Sequence, residues 1–84
     1  MPFHYVIWDL DDDPKGNVQH IADHGITKAE VIEVLDSPKC FEISRSSGRP
    51  VAIGTTHSGR NILVVFDQID NDTVYPVTAY DLED

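Results

Sequence analysis

The order of apolar and polar positions divides the chain into seven segments. Residues 3–8, Phe-His-Tyr-Val-Ile-Trp, form a short aromatic and β-branched run, which predicts a strand. Asp13 followed by Pro14 has the form of an N-cap and first helical residue. The acids before it suit the positive end of a helix, so a first helix is expected to open there. Val18, Ile21 and Ala22 give it an apolar stripe, and His24-Gly25 supplies a stop signal. Thr27-Lys28-Ala29-Glu30 is a capping box that starts a second helix. Val31, Ile32, Val34 and Leu35 are its expected buried face, and Ser37-Pro38 ends it at about Asp36.

After the helices the pattern changes period. Cys40 to Ser44 reads as a weak strand, and the Ser-Ser-Gly-Arg-Pro stretch ending at Pro50 as a turn. Val51 to Thr56 reads as a strand in which Gly54 marks a bulge or a close approach of another backbone. His57 to Arg60 is a tight hairpin connection to Asn61–Asp67, which is apolar on both faces as a central strand would be. Thr73 to Tyr80 is the last strand, pushed toward an edge or a bulge by Pro76, and a polar tail closes the chain. The order β-α-α-β-β-β-β implies one α+β domain over residues 1–84. Two short helices follow an N-terminal strand and pack on an antiparallel sheet of about four or five strands. Leu35 is expected in the core, together with Ile62, Val64 and Phe66 or the alternate positions of that strand.

Charge adds a second layer. The chain carries a formal net charge of −9, yet residues 43–66 contain no carboxylate and three arginines, leaving −12 for the rest. An acidic chain of this kind has no bulk affinity for nucleic acid or for an anionic membrane surface. RNA would have to meet the 45–60 region, whereas a basic protein partner would be steered to the acidic faces. The longest apolar run, Ile62–Phe66, is far short of the ~20 residues that span a bilayer. No signal-peptide pattern is visible at the start. One cysteine, Cys40, permits no internal disulfide and reads as a buried or half-buried structural thiol. These features together suggest the cytoplasm.

Several spacings invite chemistry. His20 and His24 share a helix face at metal-ligand spacing, but no third ligand is placed with them and both suit the negative end of a helix. Asp9, Asp11 and Asp13 alternate like the opening of a calcium loop. That pattern fails at Pro14, where Gly is needed, and at His20, where Glu is needed, leaving a solvated acidic helix start. The expectation is no metal and no cofactor. Arg45, Arg49, His57 and Arg60 fall at the ends of successive strands, where a hairpin sheet could gather them. RNA cleavage by its own 2′-hydroxyl needs a base, an acid and a cation for the developing phosphorane charge. Arginine forks fit phosphate, and His57 exchanges protons near neutral pH. The alternative is a solvated sheet edge with its arginines paired to the abundant acids.

The run from His20 to Pro38, followed by Arg49–Asp67 and by a closing Val74–Asp84, resembles the BrnT family over about Tyr5 to Tyr80. These are toxins of type II toxin–antitoxin pairs, ribonucleases with the compact RelE/ParE-like fold. The family commonly opens with an aromatic-Trp-Asp-Pro-x-Lys run. Here Asp13-Pro14 hold the Asp-Pro positions, Trp8 stands upstream, Lys15 is one place off and His20 takes an Asn position. Family members are usually basic with an Arg-rich final helix, whereas this chain is acidic. The resemblance implies a metal-independent endoribonuclease held by an antitoxin, and the acidic faces would favour a basic one. In it Arg49 and Arg60 would be catalytic, and Lys15, His24 and Tyr80 would bind RNA. The charge pattern adds His57 to the catalytic groups and Arg45 to the RNA-binding ones. The alternative is a non-catalytic interaction module that keeps the fold and has lost the nuclease surface.

Overall fold

Thr27 starts a helix as its sequence predicts. In the structure, a computed structural model that describes residues 3–83, the Thr27 hydroxyl accepts from the Glu30 N–H, and the Glu30 carboxylate accepts from the Thr27 N–H. Asp84, the end of the polar tail, lies outside the described residues. The elements are β1 (Tyr5–Val6), α1 (Asn17–Asp23), α2 (Lys28–Asp36), β2 (Cys40–Ile43), β3 (Pro50–Thr55), β4 (Asn61–Gln68) and β5 (Thr73–Asp81). The sheet runs β1-β5-β4-β3-β2, with β1 parallel to β5 and every other pair antiparallel. The fold is α+β, and β4 is the central strand.

The first helix starts three residues later than Asp13-Pro14 implies. The Asp13 carbonyl accepts from the Gly16 N–H and its carboxylate from the Lys15 N–H, which closes a turn instead of a helix. Gly16 is the N-cap, and a Cβ there would sit 2.7 Å from the Asp9 Cβ, so the chain crosses itself where only glycine fits. The stop is as expected. Gly25 takes φ +75°, with Gly25 N–H to Ala22 and Ile26 N–H to Ile21 satisfying the last carbonyls.

α2 packs on β3 and β4, and α1 on β5. Phe3, Ile21, Ile26, Val31, Val34, Leu35, Ala52, Ile62, Val64, Phe66, Val74 and Ala79 form the core between the two layers. Leu35 is thus buried as expected, and of the two faces of β4 it is the one with Ile62, Val64 and Phe66 that meets the helices. Ile32 and Ala22 are exposed, because only one narrow stripe of each short helix meets the sheet. Gly54 marks a close approach and not a bulge: a Cβ there would lie 3.3 Å from Val34 Cγ1, so α2 rests directly on the β3 backbone. The bulge is at Val77, since Val65 pairs with Thr78 and Phe66 with Pro76.

β1 is far shorter than the apolar run 3–8. The Ile7 N–H still donates to the Val74 carbonyl, but a parallel ladder would next require an N–H from residue 76, and Pro76 has none. The Asn17 side-chain amide stands there instead and donates to the carbonyls of both Ile7 and Pro76.

Candidate functional site

The helices cover one face of the sheet and leave the other open. Along the open face the registers align Val51 with Val65 and Thr78, and Ile53 with Leu63 and Tyr80. The β2–β3 connection, residues 44–49, rims this face, and the two enclose a trough of about 490 Å³. Its polar lining includes Arg45, Arg49, Glu42, Thr78 and Tyr80, with serines of the connection between them. The bulge at Val77 shifts β5 by one residue and so aligns Thr78 with Val65 on this face. The Thr78 hydroxyl is buried there without a hydrogen-bond partner.

The cationic stretch does not converge. Arg45 and Arg49 lie at one end of the β3–β4 hairpin, and His57 and Arg60 at the other. The six-residue β3 separates them by roughly 20 Å. Arg49 Nε donates to Asp67 Oδ1 at 2.9 Å on the trough rim, across the row that continues Val51–Val65. Arg60 is enclosed by acceptors: Asp81 Oδ2 at 2.9 Å, Glu30 Oε2 at 2.7 Å and the Gly25 carbonyl at 3.1 Å. The hydrogen bond to Asp81, then that to Glu30, pushes its pKa up, and Asp81 is pushed down in turn by the Glu83 N–H and by Arg60. His57 Nδ1 lies 2.9 Å from Glu33 Oε1, which also accepts the His57 N–H at 3.0 Å. Arg60 and His57 therefore tie the β3–β4 turn to α2. Among the described residues Arg45 is in no ion pair, so it is the cation of the stretch left free for a ligand.

Of the remaining expected residues, Tyr80 lines the trough and its ring meets His24 edge-on, with centroids 4.7 Å apart. The His20 ring lies tilted against that of His24, with centroids 5.4 Å apart. No group of three or more His, Cys, Asp or Glu side chains arranged to hold a metal occurs among the described residues. Lys15 belongs to the turn before α1 and does not line the trough. Cys40 is exposed and not buried, because β2 is an edge strand beyond the reach of both helices.

The acidic opening is no free helix start either. Asp11 pairs with Lys28 at 2.9 Å. Asp9 Oδ2 accepts from the Tyr75 hydroxyl at 2.5 Å and from the Asn17 N–H at 2.9 Å, which together hold its carboxyl below the usual range. The same bond to Asp9, then burial, pushes the Tyr75 phenol up to about 12. The residues that sequence reasoning missed are Thr78, Asp67 and this Asp9–Asn17–Tyr75 knot. Pro76 was the one available signal, since a proline inside a strand requires a substitute donor nearby.

Comparison with protein-family models, curated proteins and solved structures gives no match for this chain.

Proposed function

We propose that this protein is a BrnT-like toxin, an endoribonuclease of a type II toxin–antitoxin pair, and that its RNA lies in the trough on the open face of the sheet. The observation that carries this reading is the trough itself. It combines an unpaired Arg45, the Arg49 fork, the exposed Tyr80 ring and the orphaned Thr78 hydroxyl in one place on an otherwise acidic molecule. Arginines match phosphate, an aromatic ring stacks on an unpaired base, and repulsion from the acidic remainder confines a single strand to this surface. In cleavage the 2′-hydroxyl would attack the adjacent phosphorus, forming a cyclic phosphate as the 5′-oxygen leaves with a proton. Arg45 and Arg49 would hold the phosphorane charge, and Glu42 and Tyr80 are the proton-exchanging groups of the lining. His57 and Arg60 are structural in this reading, because their carboxylate partners and their distance keep them from the trough. A cytoplasmic antitoxin, basic where it meets the acidic helices, would be the partner. Among the described residues no helix is long and apolar enough to cross a membrane.

A second reading is a non-catalytic interaction module. It is favoured by the pairing of Arg49 and Arg60 with carboxylates, by the contact of His57 with Glu33 and by the lack of a histidine in the trough lining. Expression of the chain alone in a bacterial host separates the two readings. Growth arrest with fragmented mRNA, relieved by Arg45→Ala, supports the nuclease. Unimpaired growth together with salt-sensitive binding of a short RNA supports the module. Neither toxicity nor RNA binding removes the trough from both.

A further inference from the structure

The sheet ends abruptly at β2. Among the described residues no strand follows it, and all four of its residues are exposed. Phe41 is 51% exposed and Ile43 66%, although both are large and apolar. The two helices stop at β3, so the core is left open on this side. Phe3 meets Phe66 at 5.4 Å and Phe41 at 6.3 Å, and these rings with Ile43 and Pro50 border an apolar groove of about 460 Å³. An uncovered edge of this kind pairs with another strand unless something blocks it.

The hydrogen-bond phase of the edge is fixed. Ser44 N–H donates to the Arg49 carbonyl at 2.8 Å, so Ser44 and Arg49 are a hydrogen-bonded pair. Antiparallel pairing alternates, which makes Glu42–Val51 and Cys40–Ile53 the next pairs that turn their backbone groups inward to β3. The N–H and C=O groups of Phe41 and Ile43 therefore point outward and lack a strand partner.

We propose that the occupant of this edge is a second copy of the chain, paired antiparallel through β2 about a two-fold axis at Phe41. Charge favours the occupant, and charge together with the contact of the two Phe41 rings favours the register. Between Lys39 and Arg49 the only carboxylate is Glu42, against three cations, so this edge is where two chains of net charge −9 meet with the fewest facing acids. An axis at Glu42 would set the two Glu42 carboxylates directly opposite each other, which destabilises a strand pair. An axis at Phe41 sets Phe41 against Phe41, Cys40 against Glu42 and Lys39 against Ile43; the outward N–H and C=O groups of the two Phe41 residues then face each other, while the Lys39 N–H stays on the Ile53 carbonyl at 2.7 Å. The two aromatic clusters then join across the axis and cover both grooves. Such a contact is self-complementary, so it stops at two copies and leaves no free β2 edge. Two four-residue strands bury less than the roughly 1,200 Å² of a stable complex, so the dimer is a concentration-dependent one.

The chain's single cysteine reads the register directly. With ~3.4 Å rise per residue and ~4.8 Å between strands, the two Cys40 Cα atoms come roughly 8 Å apart. That is too far for a disulfide but within reach of a short bismaleimide. Sedimentation equilibrium of the full chain over a wide concentration range should show reversible monomer–dimer exchange. The bismaleimide should then yield a covalent dimer through Cys40. Phe41→Lys, which sets two ammonium groups face to face, should abolish both signals while circular dichroism stays unchanged. Ile69→Lys, an equally exposed apolar position at the β4–β5 turn, should leave both intact. If Phe41→Lys unfolds, the unmutated chain's cross-link still decides. A chain that stays monomeric at its solubility limit, or a dimer without the Cys40 cross-link, overturns the proposal. Pairing with the strand of a different protein while the chain alone stays monomeric does the same.

Discussion

Asn17 supplies the hydrogen-bond donor that Pro76 lacks. Its side-chain nitrogen lies 3.0 Å from the Ile7 carbonyl oxygen and 2.9 Å from that of Pro76, at the point where the β1–β5 ladder runs out of backbone N–H groups. Asn17 is buried, and its side-chain oxygen accepts the Asp9 N–H at 2.9 Å, so one side chain extends the hold of the N-terminal segment on the sheet beyond the β1–β5 ladder. Asn17→Ala leaves those carbonyls without their donor, and a buried unsatisfied group costs ~1–3 kcal/mol. The expected loss in urea denaturation is about 2–4 kcal/mol. Pro76→Ala restores an N–H facing Ile7, so Asn17→Ala should cost distinctly less in that background. Equal costs in the two backgrounds would show that Asn17 does not replace the missing donor.

Tyr75 and Asp9 make stability depend on pH at both extremes. The Tyr75 phenol is raised in the folded state, so its contribution is fully present below its ordinary value near 10.0 and is lost as pH rises through about 12. Asp9, Asp70 and Asp81 are lowered: Asp9 by Tyr75 first, Asp70 by the Asp72 N–H and Asp81 by the Glu83 N–H. Their contribution is present above the ordinary carboxylate value near ~4 and is lost as pH falls through their folded values. Tyr75→Phe should flatten the alkaline limb of a plot of Tm against pH and make the acid limb shallower, by releasing Asp9. An alkaline limb unchanged by Tyr75→Phe would place the titrating group elsewhere.

Arg45 and Arg60 should separate binding from stability. Arg60→Ala removes bonds to Asp81, Glu30 and Gly25 and should lower Tm while RNA affinity per folded molecule stays the same. Arg45→Ala should leave Tm unchanged and weaken RNA binding, with a salt slope smaller by roughly one unit for the lost phosphate contact, or less on a single strand. Fluorescence anisotropy with a short labelled RNA at several salt concentrations reads both. The reverse assignment would move the RNA surface to the α2 end of the sheet.

Leu35 is fully buried between α2 and the sheet. Leu35→Ala should cost ~2–5 kcal/mol in the same denaturation assay, whereas Ile32→Ala, one turn-face away and exposed, should cost far less. Similar costs would mean that α2 packs by a different stripe.

Local signals determined what the sequence alone made legible. Thr27 and Glu30 form a capping box from groups three residues apart, and His24-Gly25 stops α1 with bonds to residues within one turn. The apolar run within Asn61–Gln68 marked a central strand, and packing of the helices then selected the face that carries Ile62, Val64 and Phe66 for the core. Features that depend on distant residues were decided by the tertiary structure. Asp13-Pro14 carries a helix-start signal, yet Gly16 and Asn17 start α1, because only there can Asn17 reach Pro76, 59 positions along the chain. The arginines are neighbours in sequence and were candidates for one surface. A hairpin sends its two ends in opposite directions, so Arg60 met Glu30 and Asp81 while Arg45 and Arg49 met the trough. Thr78 faces the trough only through the extra residue Val77, whose place in the register is set by pairing with β4. Pairing and charge neutralisation act between segments far apart in the chain, and composition and spacing do not record which segments those are.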